Sequence, residues 1–175
     1  MRTRRAVAAV VVAGLAAVTA GCSAHPGAAA VVDGHEISEA YLQGAYEDFR
    51  DLGSATPGQL LNVLVAVRAG EDVAVEYDIA VPSSEALAAL EAAGVDTSEF
   101  SAGGVEVARY LAMVNVAGNH DDVEQIAQEM DDARRAADIQ VNPRYGAFDI
   151  ETGTIVDVVP EWLVGADLLG VPVAQ

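Results

Sequence analysis

The side chains best suited to metal binding, nucleophilic attack or covalent modification are few enough to take one by one: Cys22, the only cysteine, and His25, His35 and His120. A structural or catalytic zinc site gathers three or four such ligands, and these histidines are too scattered to make a local metal motif. "NHDD" (119 to 122) sets a histidine beside two aspartates, but it also reads as a helix entry capped by Asn or Asp. "SAGG" (101 to 104) has neither the Lys nor the strand context of a phosphate loop, and no G-x-S-x-G or S-x-x-K pattern occurs. Acids are so numerous that no carboxylate pair stands out. The reading is therefore of a protein that is not an enzyme, with no catalytic residue, no metal and no cofactor. What remains is aromatic: Tyr41, Tyr46, Phe49 and Tyr77 fall at helical spacing, where they serve either a core or an apolar groove.

Cys22 has a context of its own. "MRTRR" is basic, Ala6 to Ala20 is apolar, and small residues precede the cysteine, the layout of a secretory signal peptide over residues 1–21. The apolar run is shorter than the roughly 20 residues that cross a bilayer. "VTAGCSA" resembles a bacterial lipobox, with Thr19 where an aliphatic residue is usual. Lipidation of Cys22 would explain both its place and its solitude, since a lone thiol in an exported protein is otherwise a liability. Residues 22–30 then read as lipid-attachment site and tether, 31–159 as the folded domain and 160–175 as a tail.

Charge narrows the partners. The chain has 27 acidic and 9 basic residues, a formal net charge of −18, and no lysine. Removing the leader removes three of the nine arginines. Such a surface repels nucleic acid and anionic head groups, so membrane contact is expected through the lipid alone. Acidity would suit a basic partner, although many exported proteins of salt-tolerant or high-GC bacteria are acidic throughout.

The elements that would position a groove are mainly helical. Asp33-Gly34 between apolar residues signals a turn. Ser38 is placed as an N-cap, with Ile37 and Leu42 as its staple, for a helix over 39–52 that carries Tyr41 and Phe49. Thr56, Pro57 and Gln59 form a capping box with proline at the first helical position, opening a helix from Leu60 past Leu64 to about Asp78. Gly70 in its middle costs roughly 1 kcal/mol relative to Ala and predicts a kink or a tight crossing. A short helix capped by Ser83 stops at Gly94, "SAGG" is a loop before "VEVARYLAMVNV", and Val123 to Ala137 forms a last helix with Arg134 and Arg135 near its end. After Asp138 the pattern turns to β: "IQV", a type I turn at Asn142-Pro143, then "GAFDI" and "TIVDVV". The other β-like stretch is "AVVDGHEI", so both ends of the domain must meet for the tail to find a pairing partner.

Three stretches resemble one family. "AAVVDGHEISEAYL" resembles the entry A-V-V-N-G-x-x-I-S-x-x-x-L of the SurA/PrsA-type extracytoplasmic foldases, and "LLNVLVAVRAGEDVAVEYDIAVPSSEALAAL" is similar to the segment that follows it. "VNPRYGAFD" resembles V-N-P-R-[YF]-G-x-[WF]-D of actinobacterial lipoproteins with a SurA N-terminal-like domain. The resemblance spans about 28 to 150, with gaps. It implies a mainly α, SurA N-terminal-like peptide-binding domain whose termini are joined by a small β element. It further implies a location on the outer face of the cytoplasmic membrane and chaperone-like binding of unfolded or secreted polypeptides. The chain has no room for the parvulin domain of the full foldases, so isomerase activity is not carried over. Gly70, Glu71 and Asp72 depart from the family's mid-helix residues, and Asp78 stands where glycine is frequent. Tyr41, Phe49, Leu60, Leu64 and Tyr77 are the candidate peptide-binding residues. The alternative is an envelope lipoprotein that docks one dedicated protein partner.

Overall fold

The computed structural model describes residues 26–158, apart from Ser54. The leader, Cys22 and the 160–175 tail lie outside the described residues. Strand β1 (Ala28–Val32) is buried along its whole length, so the tether expected over 22–30 is wrong for Ala28 to Ala30. Their methyl side chains are small enough for a strand covered on both faces. Asp33 and Gly34 take φ of 49° and 80°, the left-handed pair that a tight hairpin turn demands, and return the chain as β2 (His35–Ser38).

β1 is the middle strand of a three-stranded antiparallel sheet, β2-β1-β3, whose third member is β3 (Ile139–Val141). The two ends of the domain therefore meet. Asp33 N donates to Asp138 O at 2.9 Å and Asp138 N returns a bond to Asp33 Oδ1 at 2.8 Å. Asn142 extends the seam: its backbone N donates to Ala29 O at 2.9 Å and its Nδ2 to Ala28 O at 3.1 Å. Its Oδ1 accepts from Arg144 N, and Pro143–Tyr145 form a single 3₁₀ turn where a type I turn was expected. Beyond it, β4 (Ala147–Asp149) and β5 (Thr154–Val156) pair as a separate hairpin. Asn62 receives that hairpin like a strand edge. Its Oδ1 accepts from Ile155 N at 2.7 Å and its Nδ2 donates to Ile155 O at 3.2 Å.

Six α-helices occupy the described middle of the chain. α1 (Glu39–Phe49) starts at Ser38, whose Oγ accepts from Tyr41 N. It ends before the expected 52, because Leu52 lies exposed. α2 (Pro57–Ala69) has the full capping box at Thr56 and Gln59. The long helix expected to Asp78 is broken at Gly70, and α3 (Glu71–Glu76) follows as a separate piece. A side chain at Gly70 would meet Met130 Sδ at 2.5 Å, so the glycine makes room for the crossing of α6 (Val123–Ala136). α4 (Ser83–Ala92) has Pro82, not Ser83, at its N-cap and no side-chain cap bond.

The largest departure is at "SAGG". It belongs to α5 (Ala102–Gly118), which is N-capped by Ser101. Gly103 and Gly104 lie in the first turn because α1 crosses there: a Cβ on Gly103 would strike the Tyr41 carbonyl oxygen, and one on Gly104 the Asp48 carboxylate. Asp48 Oδ2 accepts from both Ser101 N (2.9 Å) and Ser101 Oγ (2.6 Å), and Ser101 Oγ accepts from Gly104 N. One carboxylate thus fixes the cap of one helix against the side of another. The main core joins β1, Ile37, Leu42, Phe49, Leu60, Leu61, Leu64 and Val107 with Ile155 of β5, and a smaller cluster holds Ala74, Ile79, Met113 and Ile126.

Candidate functional site

The five residues expected to line a groove do not come together as one. Phe49, Leu60 and Leu64 are buried in the main core, which corrects their assignment to an open surface. Phe49 meets Phe100 edge to face with centroids 5.5 Å apart. Apolar residues of α1 and α2 pack in this core together with β1 and Ile155 of β5. Tyr41 is half-buried against this core; burial first, and then the Glu106 carboxylate, hold its hydroxyl above the usual tyrosine range.

Tyr77 belongs to the other cluster. Its hydroxyl donates to Glu129 Oε1 at 2.8 Å, and its ring meets His120 at 90° and 6.1 Å. The hydrogen bond to Glu129 is the main reason that its pKa is pushed up to about 12. Glu129 in turn is lowered, first by Gln125 and then by Tyr77. A proton held more tightly in the folded state stabilises below the unfolded tyrosine value, near 10, and that contribution is lost as pH rises towards 12. Ultraviolet titration of tyrosinate should therefore show a late phase that loses one tyrosine's amplitude in Tyr77→Phe, the part that remains belonging to Tyr41. A late phase of unchanged amplitude in Tyr77→Phe would mean that the bond to Glu129 is absent in solution.

"NHDD" is a structural corner. Asp122 stands at the N-cap of α6 without a side-chain cap bond, and His120 Nδ1 accepts from Asp122 N at 3.1 Å. Among the described residues no three His, Cys, Asp or Glu side chains are placed to share a metal ion, and no helix is long and apolar enough to cross a membrane. Arg144 lies 3.7 Å from Glu39 in an exposed pair beside the strand seam.

A surface feature with room for a ligand lies elsewhere, between α4 and α5. It is an open trough of about 360 Å³, within the roughly 300–1,000 Å³ range of ligand sites. It is lined by Ala86, Ala89, Ala108 and Ala112 together with Leu90, Leu111 and Val116, with Ala86 and Ala108 buried beneath it. Leu111 is 46% exposed and Val116 39%, with Val114 beside them at 48%. Small residues on both helices let the backbones approach and leave a depression, with Leu111 exposed beside it and Leu90 partly buried against the core. The signal is present in "VARYLAMVNV": apolar residues run all round this helix, more than one buried face can use. A second cavity, by Val67, Ala74, Val81 and Met113, measures about 70 Å³, space for roughly two waters. A polar hollow by His35, Arg68 and Asp72 carries both signs of charge.

Arg109 ties the trough to the rest of the domain. Its Nε donates to Val81 O at 3.1 Å, and its guanidinium pairs with Glu106 at 3.0 Å, which holds the start of α4 against α5. Searches of protein-family models, curated proteins and solved structures return no match to this chain. The case for a function therefore rests on the trough, the charge and the arrangement of the ends.

Proposed function

We propose that this is a lipid-anchored, extracytoplasmic protein of SurA N-terminal-like architecture that binds unfolded or secreted polypeptides without catalysis. The observation that carries the reading is the exposed apolar trough between α4 and α5. An unfolded chain offers apolar side chains on an extended backbone, and a shallow groove with alanine at its base takes them without needing one sequence. The acidic exterior keeps copies of the protein apart, so an apolar patch can stay open to clients.

Two further features support the architecture. The end segments that carry the family-like "VVDGHEIS" and "VNPRYG" are joined through β1, β3 and Asn142. Asp78, at a position where that family frequently has glycine, has φ of 53°; the left-handed backbone that glycine would favour is kept. Cys22 would tether the domain to the outer face of the cytoplasmic membrane, and intact mass measurement of the membrane-associated protein should find diacylglyceryl and acyl mass on that residue.

The test is light scattering from a chemically unfolded client as it aggregates, with and without residues 23–175. Suppression is expected near stoichiometric ratios and should be lost in Leu111→Asp, which places a charge in the trough but not in the core. No suppression with several clients would overturn the general-chaperone reading in favour of a dedicated protein partner.

A further inference from the structure

We infer that the α4–α5 trough selects polypeptide segments in which an apolar residue stands beside an arginine or lysine, the apolar side chain seating between Leu90 and Leu111 and the cation pairing with Glu85. The inference rests on the trough being the binding site and adds the class of segment that it takes.

Two polar side chains line the trough, Glu85 and Asn115. Both residues are exposed, and neither side chain has a hydrogen bond or ion pair among the described residues. Other acids near the domain's joints are engaged: Asp48 by Ser101, Glu91 by Thr97, Glu106 by Arg109, Glu129 by Tyr77. Glu85 is thus a carboxylate at the edge of an apolar depression with nothing to neutralise it. Arg109, the cation carried by α5, is occupied by Val81 O and Glu106. The chain carries no lysine and a formal charge of −18, so its long-range field favours the same sign of ligand.

Dimensions set the length of the occupant. From Ala108 to Val116 the helix rises about 12 Å, which an extended chain covers in roughly four residues. One apolar anchor, a neighbouring cation and a backbone amide within reach of the Asn115 side chain fill that span. A second copy of this chain fits less well, since it would bring another Glu85 and another large negative charge to the contact.

The experiment uses residues 23–175 and three labelled peptides with one leucine-rich centre, flanked by arginines, glutamines or glutamates, in fluorescence anisotropy. The arginine peptide is expected to bind about fivefold more tightly than the glutamine peptide at low ionic strength, with the glutamate peptide weakest, and the spread should shrink as salt screens the pair. Glu85→Gln should lower the arginine preference roughly threefold and leave the glutamine peptide unchanged; Leu111→Asp should weaken all three. An arginine preference untouched by Glu85→Gln, or no preference at all, would overturn the inference while leaving polypeptide binding intact. Failure of all three peptides would instead remove the trough as the binding site. Dimers that disperse in Leu111→Asp, without peptide binding, would give the trough to a second copy and overturn the inference as well.

Discussion

Replacing Leu64 with alanine is expected to cost about 3 kcal/mol of folding stability and to leave polypeptide binding unchanged in the protein that stays folded. Leu64 is 1% exposed on the inner face of α2 and packs in the cluster that unites the strands, α1 and α5. Truncation there leaves a void that neighbours held by the β1–β3 seam cannot fill by moving together, and the cavity adds to the lost transfer energy. The measurement is urea unfolding followed by circular dichroism, paired with client suppression at a temperature where both proteins are folded. The slope with denaturant should stay the same while the midpoint falls. A change under about 1 kcal/mol, well below the usual cost of such a truncation, together with lost suppression would put Leu64 on an open surface, and the trough between α4 and α5 would then lose its claim. Leu111→Asp is the mirror experiment: function falls and stability hardly moves.

That pair of substitutions marks where the sequence could be read and where it could not. Local chemistry was legible wherever a few neighbouring residues decide the backbone. Asp33-Gly34, Ser38 and the Thr56–Gln59 box formed the turn and caps that their side chains dictate. The switch to β after Asp138, with "AVVDGHEI" as its counterpart, implied that the ends meet, because a strand needs a partner for its backbone groups. Long-range packing was not legible in the same way. Gly103 and Gly104 look like a loop in isolation; they open α5, and they are glycine because the Tyr41 carbonyl and Asp48 leave no space for a side chain. Gly70 suggested a kink or a crossing, but nothing near it in sequence names Met130 as the residue that comes close.

The candidate site escaped the sequence reading for a related reason. Aromatic residues at helical spacing point to α1 and α2, yet large side chains at that spacing are what a core consumes, and Phe49, Leu60 and Leu64 are consumed. The trough is marked by a surplus instead. α5 buries Val107, Ala108 and Met113 on its inner side and still presents Leu111, Val114 and Val116 outside. One buried helix face cannot use that many apolar positions, and the excess in "VARYLAMVNV" is the mark by which the residues themselves single out α5.

A chain stopped after Asp138 is expected to lose cooperative folding, the largest effect of any change considered. The stop removes β3, so β1 becomes an edge whose second row of backbone groups faces water. It also removes the two Asn142 bonds to Ala28 and Ala29, the Ile155 side chain from the core and the strand that satisfies Asn62. Hydrogen bonds at about 1 kcal/mol each and a buried aliphatic side chain at roughly 2 kcal/mol together reach the order of 5 kcal/mol, the lower end of a domain's entire stability. Thermal unfolding followed by circular dichroism should show a broad, early transition in place of a sharp one. A chain stopped after Val158 should keep the sharp transition, which separates loss of the seam from loss of the tail beyond it. Adding residues 139–158 as a separate peptide should restore part of the cooperativity, since antiparallel pairing with β1 needs no covalent link. A sharp transition in the chain stopped at Asp138 would show that the helices fold without the sheet, and the meeting of the two ends would then be a consequence of the fold and not a condition for it.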